Sequence, residues 1–206
     1  KKKLDGLIWV MALSMGFYGI KGGIFTIMTG GGSRVWGPPQ SFIADNNTLA
    51  LALLMTVPLF RYLYLQQTNK WIKRALVLAI LLCMISIVGS QSRGALLGII
   101  AIGAFLTLKS RNKIGITAAV VTAGIIISLM MPDKWWERMD TIQNYQEDSS
   151  AMSRINAWGT AWNVATDTFV GGGAGMWNLK TYANYAPHPY TTAFDVHSIY
   201  FEMLGE

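Results

Sequence analysis

The sequence predicts an all-α, polytopic integral membrane protein, and three observations carry that prediction. Apolar residues make up 52% of the 206 positions and charged ones only 14%, against roughly 25% charged in a soluble domain. Mean hydropathy is positive, at +0.34. No carboxylate occurs anywhere between residues 46 and 132, where the charges are basic and separate uncharged apolar runs. The same hydrophobicity excludes a disordered chain. A single cysteine, Cys83, excludes an internal disulfide and a cysteine-based zinc site. The net charge of +6 matters less than where its charges lie.

Five apolar runs give the membrane part, residues 1–131. The first, about 6–29, is interrupted by Lys21; the second, about 47–65, contains Pro58, which membrane helices tolerate. Three more follow at about 75–90, 94–108 and 114–131. A span takes about 20 residues, so the fourth run is short unless Arg93 and Lys109 snorkel at its ends. Lys1, Lys2 and Lys3 ahead of the first run resemble a signal-peptide start. No small-residue cleavage site follows, and four further runs come after, so they read as a topogenic flank.

If the five helices alternate, Lys1, Lys2, Lys3, Arg61, Lys70, Lys73, Arg74, Lys109, Arg111 and Lys113 all fall on one side. These are ten of the seventeen basic residues, and the positive-inside rule makes that side cytoplasmic. Every carboxylate except Asp5 then falls on the opposite, outward side. Residues 132–196 form a long outward loop with short helices. A loop beyond about 12–15 residues is commonly functional. It holds Trp135, Trp136, Trp158, Trp162 and Trp177, and indole rings favour the headgroup level, so the loop is expected to lie on the membrane. Within it, 149–166 reads as a helix with Arg154, Trp158 and Trp162 on one face. Gly171 to Gly175 reads as a helix stop and turn. Residues 197–206 read as the start of a further membrane helix. With no initial Met and an apolar pattern still running at Glu206, the chain reads as an internal piece of a longer one.

Motif searching returns absences first. The glycine runs at 30–32 and 171–175 fit neither a phosphate loop nor GxGxxG and read as turns. There is no HExxH and no Asp-x-Asp pair, which leaves only Glu147-Asp148 as a weak metal candidate. The remaining candidates are cations on the outward side. Arg93 lies between two apolar runs, where a charge is costly and a functional candidate; the competing reading is a snorkelling helix end. Lys21 sits inside the first run among Gly19, Gly22 and Gly23, with the same competing reading. Arg34 and Arg154 are loop arginines. An anionic group at the outer face would explain Arg93 and Arg154 together, because the arginine fork suits diphosphate. His197 opens a helix near the membrane, and histidine is the residue type whose ordinary pKa suits proton transfer near neutrality. His188, between two prolines, is less well placed, and Asp195 and Glu202 are rival bases.

Ser92-Arg93-Gly94-Ala95 in an apolar helix is similar to the Ser-Arg-Gly signature of the bacterial O-antigen ligase and polymerase superfamily. Ser153-Arg154 with Trp158 and the 171–175 glycines resembles that family's arginine–tryptophan helix and glycine turn. His197-Ser198 resembles its histidine motif, whose following glycine falls beyond Glu206. Lys21-Gly22-Gly23-Ile24-Phe25-Thr26, Gly37-Pro38 and Asp45-Asn46-Asn47 look more specifically like the O-glycosylation ligases associated with exosortase systems. The resemblance implies a glycosyltransferase-C-like helical bundle in the bacterial inner membrane, with further spans on both sides. It implies transfer of a glycan from undecaprenyl diphosphate to a protein, lipid or glycan acceptor at the periplasmic face, without metal, nucleotide or other cofactor. Arg93 and Arg154 would bind the diphosphate, with Lys21 and Arg34 in support, and His197 would take the acceptor proton. The bilayer is the other partner, and none is a nucleic acid. A transporter or flippase subunit for polyprenyl-linked glycans is the alternative from another class, and a glycan polymerase the alternative within the superfamily.

Overall fold

A computed structural model describes residues 2–110, 113–140, 149–188, 193–194 and 196–206. Lys1, Arg111, Glu147, Asp148, Pro189 and Asp195 lie outside the described residues. Among those described, every regular element is an α-helix. The chain forms two compact units, Lys1–Met139 and Asp140–Glu206.

The first unit contains α1 (Lys2–Met28), α2 (Asn46–Gln66), α3 (Lys70–Gly89), α4 (Arg93–Lys109), α5 (Lys113–Met130) and α6 (Asp133–Asp140). Helices α1, α2 and α3 are long and apolar enough to cross a membrane. With 17 residues, α4 is about 26 Å long at 1.5 Å per residue, against a hydrocarbon core near 30 Å. Local chemistry sets the helix starts. The Asp45 carboxylate accepts the backbone N–H groups of Asn47 and Thr48, at 2.7 and 3.2 Å, and caps α2. Asn69 caps α3 by accepting the N–H of Trp71 at 2.9 Å. This cap brings Lys70, Lys73 and Arg74 into the helix, so α3 begins earlier than the apolar run at 75 suggests.

Small residues bring the first three helices together. Gly19 faces Cys83 and Leu53, Gly22 faces Ser86, Gly23 lies on the backbone of Leu82, and Gly89 lies on Thr26. The rising order of both numbers makes α1 and α3 parallel. Close approach at glycine is how helices associate where lipid removes the usual hydrophobic drive. The outward surface is correspondingly apolar: Val10, Phe17, Leu51, Met55 and Leu78 are all more than half exposed. In water this would be a very large apolar patch; in a bilayer it is the ordinary lipid-facing surface.

The second unit contains α7 (Ser149–Asp167), α8 (Leu179–Tyr185) and α9 (Ile199–Gly205). Helices α7 and α9 run parallel. Trp158 stacks on Phe201 with ring centroids 5.1 Å apart, and the N–H groups of Gly172 and Gly173 donate to the carbonyls of Gly205 and Glu206 at 2.7 and 3.0 Å. Gly171 and Gly173 both have φ +72°, the left-handed region where glycine carries no Cβ penalty. Tyr182 from α8 is buried with Ala157 and Val196, and its hydroxyl donates to the Phe194 carbonyl at 2.7 Å.

The tryptophans behave differently from the sequence expectation. Trp135 is buried in the first unit and donates Nε1–H to the Val88 carbonyl at 3.3 Å. Trp158 is held by Val196 and Phe201, and the Trp177 indole nitrogen is buried. Of the five, Trp136 and Trp162 are exposed. An indole fills protein cavities as readily as it lies in a headgroup layer, and tryptophan count alone does not separate the two.

Candidate functional site

One end of the first unit gathers the C-terminal ends of α1 and α3 and the N-terminal ends of α2 and α4. Ser90, Gln91 and Ser92 join α3 to α4 there and are all buried. Ser90 Oγ donates to the Ile87 carbonyl at 2.6 Å, and the Ser92 hydroxyl caps α4 by accepting the N–H of Ala95 at 3.2 Å. Gln91 has φ +55°, a conformation costly for a non-glycine residue unless its surroundings impose it. They do. Gln91 Nε2 donates to the Gly31 carbonyl at 3.1 Å, and its Oε1 accepts Arg34 Nε–H at 3.3 Å. Asn46 Nδ2 donates to the Ser90 carbonyl at 2.8 Å. Val35 N–H donates to the Gly89 carbonyl at 3.0 Å, and Trp135 holds Val88 from behind. The turn is therefore fixed by residues from α2, α6 and the 29–45 segment.

Arg93 is the first residue of α4 and is half-buried. It follows this fixed turn directly, so its backbone has little freedom to drift. The helix N-terminus adds partial positive charge to the guanidinium. Together they make this end favourable for an anion. A cavity of about 10 Å³ lies behind the turn, lined by Ile87, Val88, Gln91, Ser92 and Trp135 among others. It holds a water at most, so a larger ligand would bind on the open side. Lys21 is not brought here. It is exposed on the face of α1 opposite the glycine seam, with Phe17, Ile24, Phe25 and Met28 around it.

In the second unit α7 holds two segments in place. Asn156 is buried and reads the backbone of His188 in both directions: Nδ2 donates to its carbonyl at 3.0 Å, and Oδ1 accepts its N–H at 2.9 Å. The His188 side chain is exposed. Trp158 Nε1–H donates to the Val196 carbonyl at 3.0 Å, fixing the residue before His197. His197 has φ +49° and is exposed. It stands just ahead of Ser198, the N-cap of α9. Arg154 lies one turn before Trp158 on the same face of α7, and its Nε is buried without a hydrogen-bond partner among the described residues. Thus α7 carries Arg154 and, through Trp158, fixes the backbone beside His197. At the far end of the helix Tyr185 donates to Asp167 at 2.7 Å, and that bond to a carboxylate raises the phenol above its ordinary value of 10.0.

The sequence reading assigns no positioning role to Gln91, Asn46, Trp135 or Asn156. Their partners lie 32 to 60 residues away, and no local pattern reports such pairs. The one available signal is a buried-type polar residue, Asn46 or Gln91, at the edge of an apolar run.

The fold and these residues define a polytopic helical membrane protein with arginine and histidine at its helix ends. The chain belongs to the O-antigen ligase family, whose model matches residues 76–206, while residues 1–69 match a family of unknown function. No curated protein and no solved structure matches the chain. Family membership makes it a glycosyl-transferring enzyme of the ligase or polymerase kind, working on lipid-linked glycans in a bilayer.

Proposed function

We propose that the protein transfers a glycan from undecaprenyl diphosphate to an acceptor hydroxyl at the periplasmic face of the bacterial inner membrane, with no metal or other cofactor. The observation that carries this reading is the buried Nε of Arg154, without a partner among the described residues, one helical turn from the residue that holds the chain beside His197. A buried donor without a partner is costly, and a phosphate oxygen is the acceptor that an arginine fork fits best.

In the proposed reaction the acceptor oxygen attacks the anomeric carbon and His197 takes the acceptor proton. The bond between that carbon and the diphosphate oxygen breaks, and the electron pair leaves with undecaprenyl diphosphate. Arg93 and Arg154 stabilise the negative charge that develops there, which is where fixed cations are most effective. Arg34 acts mainly by holding Gln91, and Lys21 contacts the lipid head from the outer face of α1. The expected cytoplasmic side is the one carrying Lys70, Lys73 and Arg74. The acceptor is a protein, a lipid or another glycan.

Proteoliposomes given undecaprenyl-diphosphate glycan and acceptor test the proposal. Free undecaprenyl diphosphate should appear in step with glycan on the acceptor. Donor that changes leaflet with its glycan still attached would identify a transporter instead.

A further inference from the structure

Helix α7 is inside-out. Its buried face carries Ser153, Asn156 and Thr160 alongside Ala157, Ala161 and Val164. Its outer face carries Ile155, Trp162 and, in the turn that continues it, Phe169. Those three are spaced by seven, close to two helical turns, so they form one stripe. Trp162 is 58% exposed, Phe169 104% and the adjacent Val170 83%. Between them on that face lie Trp158, which stacks on Phe201, and Gly159, Ala165 and Thr166, none charged. A helix in water places such groups the other way round.

We propose that α7 lies on the bilayer surface, with Ile155, Trp162 and Phe169 seated among the acyl chains and Val170 at the inserted tip. Three features of the chain select lipid as the occupant. The chain already contains membrane-crossing helices. A tryptophan stands at the centre of the stripe, where its amphipathic ring suits the headgroup boundary. The stripe itself carries no charged residue. An interfacial helix buries its apolar face about 5–10 Å into that boundary. Arg154 borders the stripe at its N-terminal end, which sets its guanidinium at the level of lipid phosphates. The membrane contact stands whether or not the protein transfers glycan.

The full chain with Cys83→Ser, in phosphatidylethanolamine–phosphatidylglycerol vesicles, tests this by spin labels. Trp162→Cys and Phe169→Cys are compared with Ala183→Cys, an exposed site on α8. Labels at 162 and 169 should collide readily with oxygen and poorly with a water-soluble nickel chelate, and the label at 183 should do the reverse. Nickel access at 162 and 169 equal to that at 183 would overturn the proposal, and so would shielding from both reagents, the mark of a protein contact. A second measurement needs no cysteine. The emission lost in Trp162→Phe should be quenched by lipids brominated along their acyl chains. Absence of quenching would count equally against the inserted stripe.

Discussion

Gln91 and His197 sit in left-handed backbone next to, or within, the candidate site, and each makes a separate prediction. Removing the Gln91 amide by Gln91→Ala deletes its bonds to Arg34 and Gly31 and leaves their buried groups unsatisfied. The expected loss is about 1–3 kcal/mol of stability, read as a lower thermal midpoint in detergent; an unchanged midpoint would show that the turn is held by its other contacts. His197 is exposed and makes no core contact of that kind. His197→Ala should leave expression and folding intact and lower turnover about 10²–10⁴-fold, the usual contribution of a positioned base. Turnover within a few-fold of wild type would move the role to Glu202 or Asp195. Arg93 and Arg154 are legible in the sequence because each is a charge in an apolar or aromatic context. Gln91 is not, because nothing near it in the chain indicates that Gly31 and Arg34 will meet it.

Helices report on packing more than on chemistry. The α1–α3 seam depends on Gly23, whose added Cβ would meet the Leu82 backbone, which cannot move aside as a side chain can. Gly23→Ala should therefore cost about 1–3 kcal/mol, the range for overpacking, seen as reduced thermal stability of the purified protein. Gly6, with open space around it, is the control, and Gly6→Ala should be neutral. In the second unit Asn156→Ala removes both bonds to the His188 backbone and should lower stability by a similar amount. Helix existence was legible because apolar runs of this length have few other outcomes. The start of α3 was not, because Asn69 caps a helix whose first turns are basic rather than apolar. On α7 the sequence places Trp162 on one helix face, but only burial reveals that Ser153, Asn156 and Thr160 point inward and Phe169 outward.

At the scale of the molecule, charge asymmetry orients the first unit. Lys3, Arg61, Lys70, Lys73, Arg74 and Lys109 belong to helix ends opposite the Ser90–Ser92 turn. By the positive-inside rule that end is expected to be cytoplasmic. With Cys83 replaced, Phe42→Cys in the exposed 29–45 segment should react with a membrane-impermeant thiol reagent once the outer membrane is permeabilised, and Lys70→Cys should not. Reversed labelling would place the Arg93 end in the cytoplasm. The alternation of runs and basic clusters made this asymmetry readable from sequence, because only lipid imposes it. The composition shift at 131 falls a few residues before the boundary of the two compact units at Met139, because Trp135 is buried in the first unit and bonds to Val88.

The central claim is the proposed one, that Arg93 and Arg154 are each needed to stabilise the leaving diphosphate during glycan transfer. Its most direct test is the single-turnover release of undecaprenyl diphosphate by wild type, Arg93→Lys and Arg154→Ala at equal folded protein. Lysine keeps the charge at 93 but loses the two-pronged hydrogen bonding, so both variants should release the product at least about tenfold more slowly, a loss near 1.4 kcal/mol of transition-state stabilisation. Release at the wild-type rate in both variants would contradict the account, because neither guanidinium could then be holding the diphosphate.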